Sequence, residues 1–413
     1  EATRDGLVGT TQPNFYAWVM GASHPVGVAA EWMATSWGQN AGTYDTAPAA
    51  ATAEDAVSRW LLELLDLPPE SSVGFSTGAT MASTICLATA RAEVLRREGY
   101  DLVQQGVFSA PEVRVYLGAE AHSTIFSGLR YLGFGRDNLT LVDVDDQGRM
   151  DCSSLETSLG AYHGPKIVIC QAGHINSGNF DPLAEIIPLA REYSAWCHVD
   201  GAFGLWARTV PRLAHLCRGA EGADSWAVDG HKWLQVPYES GFAVIRDSDA
   251  HRKSMDISAS YLEEAPVGAR CPSRYGPELS RRARGFAVWA VLQALGREGI
   301  REMVGRHCRC AGELANLLEG VPGINVLNDV VLNQVVITVG TTEPLAERDR
   351  LIEAVIKHLA GENTSHVSGA EWRGQKVMRV SVISRLTDSP DIQRLGQSII
   401  RAWETVQTSA AEN

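Results

Sequence analysis

Asp224-Ser-Trp-Ala-Val-Asp-Gly-His-Lys-Trp233 is the stretch that decides how this chain folds and where its chemistry lies. Ser225–Val228 is a short apolar run that reads as a strand, and Asp229-Gly230 ends it. Lys232 then stands just past the carboxyl end of that strand, where open α/β sheets hold their ligands. The chain has only five lysines against 31 arginines, so a lysine inside a tight motif carries weight. Its amine can condense with a carbonyl, although a single lysine is more often a solvated or ion-paired surface group.

Outward from this segment, residues 54–247 alternate helix-like and short β-rich stretches. Strands are expected near Val73–Ser76, Val113–Leu117, Thr140–Val144, Lys166–Gln171, Trp196–Asp200, Ser225–Val228 and Phe242–Arg246. Amphipathic stretches such as Glu54–Leu65, Thr80–Arg97 and Leu183–Tyr193 are long enough to be crossover helices. The pattern predicts an α/β fold with a seven-stranded, mostly parallel sheet covered by helices on both faces. Residues 254–284, rich in Pro, Gly, Ser and Arg, read as a loop before a helix from Gly285 to about 319. Strands near Ile324–Leu327, Val331–Val339 and Val377–Val382 follow, with helices near 345–360 and 389–407, as in a smaller α+β domain. The expected division is an N-terminal segment 1–50, a large domain 51–285 and a small C-terminal domain 286–413.

Composition narrows the function classes. With 413 residues, 45% of them hydrophobic, the chain can bury a large core. A net charge of −13 opposes binding to nucleic acid or to an anionic membrane surface. The eight cysteines form no CxxC pair, so neither a disulfide framework nor a zinc site is expected, and a reducing, cytoplasmic setting fits them. No basic-then-apolar leader is visible, and no apolar run reaches the roughly 18 residues of a membrane helix.

Three further expected strand ends carry chemical groups. His198-Val-Asp-Gly-Ala-Phe-Gly204 places Asp200 at the same sheet edge as Lys232, and a buried carboxylate needs a partner. A pyridinium nitrogen is such a partner, because the acid keeps the ring protonated and able to accept electrons; capping of the next helix is the plainer role for Asp200. Gly74-Phe-Ser-Thr-Gly-Ala-Thr-Met-Ala-Ser83 runs from strand to helix, and its small residues expose the N–H groups and hydroxyls that a phosphate binds. It lacks the lysine of a nucleotide-binding P-loop. Gly118-Ala-Glu-Ala-His-Ser-Thr124 places His122 at the head of another helix. A lysine, an acid, a phosphate nest and a flat ring at one edge point to pyridoxal 5'-phosphate (PLP).

With these motifs in view, the sequence resembles the PLP-dependent group II amino acid decarboxylases, which include the aromatic L-amino acid and glutamate decarboxylases, on the fold-type I (aspartate aminotransferase-like) scaffold. The resemblance runs from about Pro13 to Val382 and includes Gln171-Ala-Gly-His-Ile-Asn-Ser-Gly-Asn-Phe-Asp-Pro182 and Ser280-Arg-Arg-Ala-Arg-Gly285. It implies that Lys232 carries the cofactor, that Asp200 pairs with the pyridine nitrogen, and that His122 and Ala202 face the two sides of the ring. Gly78, Ala79 and Thr80 are then expected to hold the phosphate with His231 beside it, and Ser225 joins the cofactor-binding set. Phe15, Tyr16 and Trp18, in the segment starting at Pro13, together with His174, are expected to wall the substrate pocket, although each ring taken singly fits a core stripe equally well. Tyr275 is the expected catalytic tyrosine, with Tyr261 as the other candidate in the same loop.

The chain departs from the family in places. Asp229-Gly230 replaces Asn-Pro, and an acid there is unfavourable beside a phosphate unless it points away. His174 stands where a Thr is common, and Gln12 replaces a His. The resemblance implies decarboxylation of an L-amino acid, leaning to apolar or aromatic side chains, by a homodimer. Alternatives are an oxidative outcome giving an aldehyde, a carbon–carbon lyase, and a non-catalytic PLP-binding homologue.

Overall fold

The computed structural model describes Thr3, residues 6–257, Pro266, and residues 268–340, 342–362 and 364–411. It divides into two compact units. The larger comprises Ser23–His174 and Phe180–Ile300; the smaller comprises Glu1–Ala22, Ile175–Asn179 and Arg301–Asn413.

In chain order the larger unit holds α1 (Pro25–Trp37), α2 (Pro48–Leu64), β1 (Ser72–Ser76), α3 (Ala79–Arg97), α4 (Leu102–Gln105), β2 (Arg114–Gly118), α5 (Ser123–Tyr131), β3 (Leu139–Val142), α6 (Cys152–Gly160), β4 (Lys166–Gln171), α7 (Leu183–Glu192), β5 (Trp196–Asp200), β6 (Ser225–Asp229), β7 (Gly241–Ile245) and α8 (Ser248–Met255). Helix α9 (Gly285–Leu318) follows, interrupted at Gly296, where φ is +59°. The smaller unit adds β8 (Ile324–Val326), β9 (Gln334–Val339), α10 (Leu345–Glu362), β10 (Ser368–Trp372), β11 (Gln375–Ser381) and α11 (Ser389–Ala411).

The seven-stranded sheet runs β1-β7-β6-β5-β4-β2-β3, and only β7 is antiparallel to its neighbours. Strands β1, β4, β5, β6 and β7 are buried along their whole length, as expected of strands covered on both faces. The fold class read from the sequence is therefore the observed one. Parallel pairing of β4, β5 and β6 sets Gln171 beside Asp200 and Asp200 beside Ala227, which brings the carboxyl ends of these strands to one edge. In the smaller unit a four-stranded antiparallel sheet, β10-β11-β9-β8, packs with α10 and α11 around Val335, Ile337, Val355, Met378 and Ile399.

The larger unit begins earlier than the expected boundary at residue 51. The Ala41 N–H donates to the Arg281 carbonyl at 3.0 Å, and Ala41, Ala47 and Ala50 bury against Ala283. The arginine-rich motif before α9 is structural. Buried Arg281 donates to Glu54 Oε1 at 2.6 Å, to the Ala41 carbonyl at 3.1 Å and to the Phe75 carbonyl at 3.1 Å. Arg270 lies 3.3 Å from the second Glu54 oxygen. Glu54 is fully buried, so its charge depends on these two guanidinium groups.

Replacing Glu54 with Gln is expected to lower stability by about 3–5 kcal/mol in denaturant unfolding, because two guanidinium groups lose a buried counter-charge. A loss below about 1 kcal/mol would mean that the cluster is effectively solvated.

Burial pushes the imidazoles of His198 and His251 from 6.5 down to about 3. Both stay neutral in the fold, whereas the unfolded chain binds protons as pH falls through about 6.5. The stability they contribute is present above that pH and is lost toward pH 3. Melting midpoints across this window should fall with pH, and His251→Gln should remove about one proton from the slope. An equal slope in the variant would contradict the assignment.

Candidate active site

The turn after β6 is fixed by its backbone. The N–H groups of Gly230 and His231 both donate to the Ser240 carbonyl, at 3.0 and 3.2 Å. Asp229 N–H donates to the Ala202 carbonyl at 2.9 Å, and the Trp206 indole N–H donates to the Asp229 carbonyl at 3.1 Å, which ties the ends of β5 and β6 together. Lys232 therefore emerges from a held turn.

Its Nζ lies 3.0 Å from Asp229 Oδ2 and 5.8 Å from the centre of the Phe203 ring. The other Asp229 oxygen, Oδ1, accepts the Ala79 N–H at 2.6 Å and lies 3.3 Å from His231 Nε2. His231 is held from its other side, where Nδ1 accepts the Ser240 N–H at 3.1 Å and the ring stacks on Tyr238 with centres 4.4 Å apart. Burial keeps its pKa below the ordinary value, against the opposing pull of Asp229.

Ala79 is the first residue of α3, which starts without a side-chain cap at Gly78. Gly78 has φ +155°, a conformation open essentially to glycine alone. A Cβ on it would lie 2.8 Å from His231 Cε1, and a Cβ on Gly241 would lie 2.4 Å from the Gly78 backbone. Both glycines keep a small cradle open at the helix head, where the first-turn N–H groups lack intrahelical acceptors. Thr80 is the next residue of α3 and is exposed.

Asp200 ends β5 as a buried acid whose Oδ1 accepts the Ala202 N–H at 3.2 Å. Burial raises its pKa, while the charges of His122 and Lys232 pull it down. His122 caps α5: its Nδ1 accepts the Thr124 N–H at 3.3 Å and lies 2.7 Å from the Thr124 hydroxyl. His174, after β4, is buried with Nε2 3.3 Å from Glu120 Oε2.

Lys232, Asp200, His122, Ala202, His231, Gly78, Ala79 and Thr80 thus belong to one edge of the sheet. Ser225 does not, because it opens β6 and pairs with His198, four residues before the strand's carboxyl end. Its hydroxyl lies 2.9 Å from Trp196 Nε1 and 3.0 Å from His198 Nδ1, inside the core. Tyr275 is also corrected. Its ring packs edge-on against His251 at 5.3 Å and under the Arg270 guanidinium at 4.3 Å. His251 in turn lies 2.7 Å from Ser72, whose strand partner Ile245 also faces Ser225, so this tyrosine is held at the opposite edge from Lys232. Tyr261 lies outside the described residues.

Within the smaller unit Tyr16 is a core residue, 1% exposed, and has no face left for a ligand. Phe15 is buried and stacks on His366 at 5.0 Å, while Trp18 keeps about half its surface exposed. The sequence does not reveal Glu120 as the partner of His174, and Asp229, an acid unfavourable beside a phosphate unless it points away, turns its carboxylate into the cradle.

A family model described as the pyridoxal-dependent decarboxylase conserved domain matches residues 4–339. The chain belongs to this family. It is 25% identical over 407 residues to the aromatic-L-amino-acid decarboxylase of Bacillus atrophaeus, covering 96% of this chain and 82% of that protein. The aromatic-L-amino-acid decarboxylase of Drosophila lebanonensis is 27% identical over 387 residues, covering 90% and 91%. In fold it matches the crystal structure of Oryza sativa TDC with PLP and tryptamine at a TM-score of 0.90, with 21% identity over 97% of this chain and 85% of the other.

This decarboxylase is a PLP-dependent carboxy-lyase acting on an amino acid. Its residues suit that cofactor: an amine at the strand end, a buried acid that favours a proton, and a helix head kept open by Gly78. Gly78→Ala should lower retention of PLP and destabilise the protein by about 1–3 kcal/mol, since the added methyl meets His231 and the backbone is strained. Equilibrium dialysis with denaturant unfolding reads both; full retention would show that the cradle is not the phosphate site.

Proposed function

We propose that the decarboxylase acts on an L-amino acid with an apolar or aromatic side chain, with Lys232 as the cofactor-bearing residue. Asp200 keeps a proton on the pyridine nitrogen, His122 and Ala202 face the two sides of the ring, and Gly78, Ala79, Thr80 and His231 surround the phosphate. What supports this reading most directly is that Lys232, Asp200 and His122 stand at the carboxyl ends of parallel strands on a single sheet edge, with the head of α3 joined to Lys232 through Asp229. The preference for aromatic side chains rests on the names of the relatives.

Bound PLP supplies an electron sink for the pair released when the carboxylate leaves as CO2. The protein does the rest by orientation. Asp200, desolvated and hydrogen-bonded by Ala202, stays in place to accept or share a proton. His122, tied to α5 through Nδ1, is held next to the site as a group able to carry a proton. His174, paired with Glu120, completes the substrate wall. A homodimer in a reducing, cytoplasmic setting accords with the family and with eight unbridged cysteines.

Borohydride reduction followed by peptide mass analysis should place the cofactor on the peptide containing Lys232, and Lys232→Ala should lose both the label and CO2 release. Asp200→Asn should keep the label but lower kcat at least about 100-fold. Aromatic amino acids should give one amine and one CO2 without peroxide. Peroxide with oxygen uptake would move the assignment to an aldehyde-forming oxidase, and a label elsewhere would remove Lys232 from its role.

A further inference from the structure

The Asp229 carboxylate occupies a place that a phosphate also needs. One oxygen holds the Ala79 N–H at 2.6 Å and approaches His231 Nε2 at 3.3 Å, and the other pairs with Lys232 Nζ at 3.0 Å. These are the donors an anion seeks: a first-turn N–H of a 19-residue helix, an imidazole and an ammonium group. The helix has no side-chain cap of its own, so a carboxylate 150 residues away caps it instead.

The space is narrow. A methyl on Gly78 would lie 3.3 Å from Asp229 Oδ1 as well as 2.8 Å from His231, and the opening residue of β7 closes the other side at Gly241. One N–H held this tightly serves one acceptor, and two anions side by side in a buried cradle repel. Among the described residues, Asp200 and the Tyr238 hydroxyl also feel Asp229, and they offer it no positive charge.

We propose that Asp229 is the resident anion of the phosphate cradle, and that loading the cofactor is an exchange in which the phosphate displaces the Asp229 carboxylate from Ala79, His231 and Lys232. The residue keeps the cradle assembled without cofactor and lowers the affinity for the phosphate in particular. It also holds the Lys232 amine in an ion pair that must open before the amine can react. This inference rests on the assignment of the α3 head as the phosphate site.

The test compares equilibrium dialysis of the full-length protein against PLP and against pyridoxal, which lacks the phosphate, for wild type and Asp229→Asn. The variant is expected to bind PLP about ten- to a hundredfold more tightly, with a clearly smaller gain for pyridoxal, which is relieved of the Lys232 pairing alone. Its melting temperature without cofactor should fall, because the carboxylate cap of α3 is lost. Unchanged or weaker PLP binding overturns the proposal, as does an equal gain for both ligands, which would mean that Asp229 acts only through Lys232. Should Asp229→Asn fail to fold, Asp229→Ser takes its place with the same criteria. Borohydride labelling of Lys232 keeps the two assignments apart: a label on Lys232 without the Asp229 effect rejects the exchange alone, and a label elsewhere rejects the site itself.

Discussion

One carboxylate, that of Asp229, joins the parts of the larger unit on which its chemistry depends. It caps α3, faces the imidazole of His231 and holds the amine of Lys232, so the end of β6, the turn that follows and the head of the helix after β1 share a single charge. A charge buried this deeply persists only with partners, and here each partner is also a group that we assign to the cofactor site. The sheet makes this possible. Parallel β4, β5 and β6 end together, and the inserted antiparallel β7 brings Gly241 against Gly78, so that two separated segments close one cradle.

A second buried charge cluster holds the frame. Glu54 on α2 faces Arg281 and Arg270, and Arg281 continues to the carbonyl of Phe75 on β1. Since β1 leads directly into Gly78 and α3, the position of the helix head depends on this pairing. Ion pairs of this kind contribute little net stability against an apolar replacement, but removal of one member is costly, which favours a single arrangement. The Arg281–Phe75 bond therefore bears on the site although neither residue enters it.

The larger unit was legible because its strands are short apolar runs bounded by Gly, Asp and Ser, and because parallel strands buried on both faces need no alternation. Strand β10 was not legible. Ser368–Trp372 is an edge strand with exposed Gly369 and Glu371, and its sequence carries no apolar run. The expected strand Val331–Val339 starts three residues late, at Gln334, which pairs with Ser381 at the end of β11. The placement of Lys232, Asp200 and His122 at one sheet edge was readable since each ends or follows a strand. Ser225 was misread because motif proximity does not say which end of a strand a residue occupies, and Tyr275, one of two candidates in a loop, packs on His251 at the far edge. Asp229 lay within the motif, but its direction depends on the Ala79 N–H, a contact across 150 residues that no local pattern carries.

The charges of the site also constrain how it can be filled. Asp200, Asp229 and Glu120 each face a basic partner, Asp200 through the fields of His122 and Lys232, Asp229 through Lys232 and His231, and Glu120 through His174. Burial opposes a charge on His231, so the compensation around Asp229 rests mainly on Lys232 and the dipole of α3. A phosphate monoester adds about −1.5 to −2 charges at pH 7. On the proposed assignment that charge has to be met at the α3 head while Lys232 becomes neutral enough to react, so a carboxylate already present in the cradle works against both requirements. In a chain whose net charge is −13, no surplus of positive charge in the rest of the molecule offsets it. The local rearrangement of Asp229 is therefore the adjustment that filling the site demands first.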